Sequence, residues 1–235
     1  MINNKKRIII LDTETTGMSN SDKPFLNHRI IEIGAVEIIN RRFTGNNFHV
    51  YLQPNRLIDQ SAIKVHGITN NFLLDKPLFK NIAKKFFNYI KYCKLIIHNA
   101  PFDIGFINQE FSIFANKKVD ISKFCYIVDT LKIARKLFPG KKNTLDALCN
   151  RYKINNSHRT LHGALLDSFL LGKLYLLMTV GQKSMLFCNN IKNIENVDYY
   201  KKTITNKKYS LKILKASDKE LKLHQKYMEY IKYIE

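Results

Sequence analysis

The sequence predicts a mixed α/β sheet flanked by helices, followed by a C-terminal tail of different character. Ile8-Ile9-Ile10-Leu11 is an unbroken apolar run, as in a strand buried on both faces. Ile30–Ile39 and Phe43–Gln53 read as two further strands. Asn40-Arg41-Arg42 between them is short enough for an antiparallel hairpin. Beyond residue 60, segments of helical and strand character alternate, which is the pattern of helices packed on a sheet.

Taken in order, the first strand ends in Asp12-Thr13-Glu14-Thr15-Thr16-Gly17, and a loop with Pro24 and Asn27 leads to the hairpin. Gly45-Asn46-Asn47 marks a bulge or turn in its second strand. A short helix is expected over Ser61–Gly67 and a longer one over Leu78–Tyr92, where Phe86-Phe87-Asn88-Tyr89 reads as core. Leu95–His98 is a buried strand, Phe102–Phe114 an amphipathic helix, and residues 124–128 a last strand. Asp129 caps a helix from Thr130 to Leu137, which Pro139-Gly140 ends. Helices over Leu145–Tyr152 and Gly163–Met178 complete the core. The organisation expected is a folded domain over residues 1–180, a linker over 181–210 and a tail over 211–235, because regular periodicity fades after Gly181.

A chain of 235 residues that is 45% hydrophobic can bury a substantial core. The formal charge of +20 is spread over both parts, with +14 on residues 1–180 and +6 beyond. That favours a polyanionic partner such as nucleic acid, although an A/T-rich genome also enriches Lys, Asn and Ile. Cys93, Cys125, Cys149 and Cys188 form no paired motif, so neither a disulfide framework nor a zinc knuckle is expected. The N-terminal apolar run is too short for a signal peptide, and no stretch approaches the ~20 residues of a membrane span. A soluble, cytoplasmic protein is expected.

The chemistry lies in three acidic motifs. Asp12 and Glu14 are two residues apart on a strand, so both face one point in space. Two anions at the edge of an apolar core need a cation or protons, and oxygen donors suit Mg²⁺ or Mn²⁺ rather than zinc. Asp103 follows His98-Asn99-Ala100-Pro101-Phe102 at the start of a helix, where an anion is favoured by the helix dipole. Asp167 closes His162-Gly163-Ala164-Leu165-Leu166 and sits among Phe169, Leu170 and Leu171, so it requires a partner. On one continuous helix His162 and Asp167 would point about 140° apart. If the helix starts near Gly163, His162 lies in the preceding loop and can stand over the same site. His158 and His162 are four apart but enclose no glutamate, so the zinc-protease pattern fails. For His28, His49 and His224 a surface position is expected.

Asp12-Thr13-Glu14, the His98–Asp103 motif and the His162–Asp167 motif, in this order, resemble the DEDDh 3′→5′ exonucleases, the family that includes bacterial replicative proofreading subunits. The similarity covers residues 7–187, including His66-Gly67-Ile68 and Phe138-Pro139-Gly140. The resemblance implies an RNase H-like fold with a five-stranded mixed sheet. It also implies two divalent cations, Mg²⁺ or Mn²⁺. Asp12, Glu14 and Asp167 would hold one ion, Asp12 would bridge to the second, and Asp103 would bind mainly through water. His162 would be the general base. Asp12, Glu14, Ser61, His66, Phe102 and Asp167 would contact the terminal nucleotide, although position 61 is glutamate in several relatives.

The expected partners are the 3′ end of DNA, single-stranded or frayed, and the alpha subunit of the replicative polymerase through the tail. A small theta-like subunit on the nuclease domain is a further possibility. Gln182-Lys183-Ser184-Met185-Leu186-Phe187 resembles short glutamine-plus-apolar motifs that dock on the bacterial sliding clamp. Two rival readings are a stand-alone RNA-trimming exonuclease and a non-catalytic assembly subunit. The second would lack one of the four carboxylates or His162, and all five are present.

Overall fold

The computed structural model describes residues 7–157, 159, 161–180 and 216–232. The chain divides into two units, Met1–Gln182 and Lys183–Glu235. Gln182–Phe187, the linker, His158 and Cys188 lie outside the described residues.

In the first unit β1 (Arg7–Thr15) is the central strand. It pairs antiparallel with β2 (Ile30–Ile39), Ile10 opposite Val36 and Asp12 opposite Gly34, and parallel with β5 (Lys94–Ile97). β6 (Tyr126–Asp129) extends the parallel side. The strand expected over Phe43–Gln53 is broken into β3 (Arg42–Phe43) and β4 (Phe48–Tyr51) by the Gly45 turn, and both pieces pair with β2. The sheet therefore has six strands, in the order β3-β2-β1-β5-β6 with β4 also on β2.

Helices cover both faces, and the period of two along β1 assigns its side chains to them. Ile9 and Leu11 face the core shared with α3 (Phe79–Ile90) and α4 (Ala100–Ala115). That core includes Phe86 and Phe106, both fully buried. Ile10 faces a second core with α5 (Thr130–Leu137), α6 (Leu145–Arg151) and α7 (Ala164–Met178). Two short helices, α1 (Gln60–His66) and α2 (Asn70–Leu73), lie between β4 and α3, and α2 has no counterpart in the expected elements. The Asp129 cap forms as expected, its carboxylate accepting from the N–H of Leu131. Cys93, Cys125 and Cys149 are buried and free. Among the described residues no helix is long and apolar enough to cross a membrane.

The second unit contains α8 (Asp218–Lys232). Ser217 and Glu220 form a capping box: the Ser217 N–H donates to Glu220 Oε2 at 2.8 Å, and the Glu220 N–H to Ser217 Oγ at 3.4 Å. Leu221, Leu223 and Tyr227 on this helix are exposed.

Candidate active site

Asp12 and Glu14 continue the face of β1 that carries Ile10, so the strand delivers them toward α7, as the spacing predicts. Asp167 comes to meet them because α7 starts unusually close to the sheet. A Cβ at Gly34, the β2 partner of Asp12, would lie 2.2 Å from the backbone carbon of Ala164. Ser168 Oγ donates to the Gly34 carbonyl at 2.8 Å, and the Ala164 N–H donates to Glu32 Oε2 at 3.2 Å. Asp103 arrives on the first turn of α4, where Pro101 and the left-handed Asn99 start the helix, and accepts from Thr13 Oγ1 at 2.7 Å. All four carboxylates line one cleft of about 1310 Å³.

α7 begins at Ala164, so His162 stands in the loop before it. Its N–H donates to the Val65 carbonyl at 3.1 Å, and its side chain stays partly open to the cleft. Glu14, His162 and Asp167 each present an atom within 4.8 Å of the others, a spacing that fits a shared ion.

The electrostatics match this crowding. Burial and then the neighbouring Asp103, Glu14 and Asp167 hold the Asp12 carboxyl well above the usual range. Burial pushes Glu14 up to about 8, helped by Asp167 and Glu32. Burial also pushes Asp103 up to about 7, against the lowering effect of the Thr13 hydroxyl. Burial, followed by the charge of Arg159, lowers the His162 imidazole below its ordinary value.

The remaining predicted contacts divide. Phe102 lines the cleft, half-buried against Phe106 with ring centroids 4.9 Å apart. Ser61 is exposed, and neither it nor His66 is among the cleft-lining residues. His66 is instead buried, with Nδ1 accepting from the Ile68 N–H at 3.0 Å and Nε2 without a partner among the described residues. The surface reading fails for His28, which is buried beside Thr16 Oγ1 at 3.3 Å. His49 is exposed as expected, and its Nε2 lies 2.7 Å from Glu32. Both meet groups remote in sequence, so nothing local marked them. His224, on α8, is exposed.

Two contributors escape a reading of motifs. Glu32, 2% exposed, bonds both the start of α7 and His49, and its signal is a charge inside the apolar strand Ile30–Ile39. Arg159 is the partner that Asp167 requires, forking onto both of its oxygens at 2.5 and 2.8 Å. The two lie eight positions apart in sequence, across loop and helix, and no periodicity announces the pair.

Comparison with known proteins agrees with this architecture. The family described as Exonuclease matches residues 9–175. The chain is 68% identical to the DNA polymerase III subunit epsilon of Buchnera aphidicola subsp. Schizaphis graminum, covering 98% of this chain and 99% of that one. Identity to the Escherichia coli K12 subunit of the same name is 49%, over 96% and 93% of the two chains. Among solved structures, exonuclease X in complex with 5′ overhanging duplex DNA superposes with a TM-score of 0.54 at 26% identity, covering 73% of this chain and 90% of that one. An E. coli exonuclease I–single-stranded DNA complex shares the fold, with a TM-score of 0.65 at 17% identity over 75% and 41% of the chains.

Proposed function

Because the chain belongs to the exonuclease family and, within it, to the epsilon subunits of DNA polymerase III, we propose that it removes mispaired 3′-terminal nucleotides from DNA with two divalent ions, Mg²⁺ or Mn²⁺. It is a 3′→5′ exonuclease of the replicative polymerase, and its family is divalent-metal dependent. The observation that carries the reading is the convergence of Asp12, Glu14, Asp103 and Asp167 with His162 on one cleft.

The residues fit hard cations. Every carboxylate donor is oxygen, and Glu14 and Asp103 hold their protons to about 8 and 7 without one. Asp12, Glu14 and Asp167 would hold one ion; Asp12 would share the second, with Asp103 acting mainly through water. Bound ions supply Lewis acidity to the scissile phosphate and lower the pKa of water. His162 takes the proton of the attacking water. Its lowered pKa keeps the ring neutral for that task, and its loop position lets it face the carboxylates without riding on their helix. Phe102 offers its ring to the terminal nucleotide, and Arg135, Lys141 and Lys142 along the cleft match a phosphodiester chain.

The tail carries the contact with the polymerase alpha subunit, and Gln182–Phe187 docks on the sliding clamp. The exposed apolar side chains of α8 support the first of these. RNA trimming as the main role is disfavoured, because the similarity to replicase subunits runs through the tail.

A digestion series on 3′-labelled single-stranded, paired and mismatched DNA, with RNA as control, tests the assignment. Single-stranded and mismatched ends should be cut faster, since they avoid an unpairing cost of a few kcal/mol. Equal rates on matched and mismatched ends would remove the proofreading role.

A further inference from the structure

The carboxylate cluster already meets a cation of the protein's own. Arg159 Nε and Nη2 fork onto Asp167 Oδ1 and Oδ2 at 2.5 and 2.8 Å, and Nη1 reaches Asp146 Oδ1 at 2.6 Å. The same Nη2 donates to His162 Nδ1 at 2.8 Å. The Arg159 side chain is 6% exposed, Asp167 is 4% exposed and Asp146 is half open to solvent. Surface ion pairs contribute little, but a buried fork of this kind is geometrically specific and compensates an anion that would otherwise be isolated.

This arrangement sets two functions of the site against the arginine. Both oxygens of Asp167, a metal donor in the reading above, are engaged by the guanidinium. The Nδ1 lone pair of His162 is engaged as well; in the neutral ring the proton then sits on Nε2, and no free lone pair is left to accept another. A divalent ion and the guanidinium seek the same oxygens.

We propose that Arg159 is the resident counter-ion of the metal-free site and that a divalent cation loads by displacing its guanidinium from Asp167 and His162. The inference rests on the metal reading of the carboxylates. In the metal-free chain the arginine offsets part of the repulsion among four clustered acids, so the domain folds without metal. On loading, Asp146 is the anchor that Arg159 keeps, and His162 regains the lone pair it needs as a base. Metal arrival and readiness of the base are thereby coupled through one side chain. Arg159→Gln removes the competitor. Arg159→Lys keeps the charge but loses the fork, because an ammonium cannot match both carboxylate oxygens in one plane. Arg135→Gln removes a cation that lines the same cleft without an ion pair among the described residues.

The test is calorimetric titration of Mn²⁺ into the full chain, wild type and these three variants, with thermal melting in chelator. Arg159→Gln should bind Mn²⁺ about tenfold tighter, equivalent to about 1.4 kcal/mol, and should melt lower than wild type without metal. Arg159→Lys should fall between the two, and Arg135→Gln should change affinity by less than about twofold. Unchanged or weaker binding by Arg159→Gln overturns the proposal, as does an equal gain in Arg135→Gln, which would reduce the effect to general charge. If Arg159→Gln does not fold without metal, the lysine variant decides: tighter binding than wild type supports displacement, and unchanged or weaker binding overturns it. Absence of Mn²⁺ binding in all four proteins overturns the metal reading itself. Binding in wild type without gain in the Arg159 variants overturns only the displacement.

Discussion

Gly34 on β2 lies against the backbone of Ala164, the first residue of α7, so closely that a Cβ would stand 2.2 Å from the Ala164 carbonyl carbon. That contact, with the Glu32 carboxylate on the Ala164 N–H and Ser168 on the Gly34 carbonyl, sets the height of α7 above the sheet and hence the reach of Asp167. Gly34→Ala should therefore push α7 outward. The expected cost is about 1–3 kcal/mol, as for an overpacked core, with a larger loss of cleavage than of stability. Urea melts and nuclease assays on the same protein check it. A variant of unchanged stability and activity would show that the contact positions nothing.

Asp12→Asn and Asp167→Asn should both abolish metal-dependent cleavage with the fold kept, yet move metal-free stability in opposite directions. Asp12 is crowded by Glu14, Asp103 and Asp167, so neutralising it relieves repulsion and raises the melting temperature in chelator. Asp167 is paired, so neutralising it breaks the fork and leaves the buried guanidinium only Asp146 as an anionic partner, lowering stability by roughly 3 kcal/mol. Calorimetric melts in chelator distinguish the two. Equal shifts would contradict the pairing.

Glu14 and Asp103 hold their protons to about 8 and about 7 in the folded chain, above the ordinary carboxylate range of the unfolded one. Between the two ranges the folded state binds more protons than the unfolded state, so stability falls as pH rises. The metal-free protein should lose stability from about pH 4 to pH 8 on this account. Saturating Mn²⁺ should flatten that slope, since the ion takes the place of the protons. Melting temperatures across this pH range, with chelator and with Mn²⁺, give the comparison; parallel curves would argue against a shared cation site.

His162→Ala should retain Mn²⁺ binding and slow cleavage by ~10²–10⁴-fold, the range for a positioned general base. Because burial lowers its pKa, the acidic limb of the wild-type profile should fall below the ordinary histidine value. The base works unprotonated, so activity rises with pH through that limb, and the alanine variant should lose it. Loss of metal instead of rate would make His162 a ligand.

The triple variant Gln182→Ala, Met185→Ala, Phe187→Ala should lose binding to the sliding clamp while its nuclease activity on single-stranded DNA stays at the wild-type level. So short a motif buries little area, so the wild-type Kd should be weak, on the order of 10⁻⁴ M, with tethering to the polymerase raising the effective concentration. Titration of clamp into both proteins reads the difference, and equal binding by both would exclude the motif.

Much of this protein is written in its sequence. The bounds of β2 and α5 emerge as expected, because an apolar run and an Asp129 cap are local signals. The period of two sent Asp12 and Glu14 to one face, and the expected start of α7 near Gly163 left His162 in the preceding loop. Tertiary structure decided what local chemistry cannot carry. His28 went inside to meet Thr16, and the exposed His49 reached Glu32 on the neighbouring strand. Above all, Arg159 was turned onto Asp167. An acid among leucines announces that it needs a partner, since burying a lone charge is costly. Which cation answers is settled only when loop and helix pack, because ion pairing depends on distance in space and leaves no period in the chain.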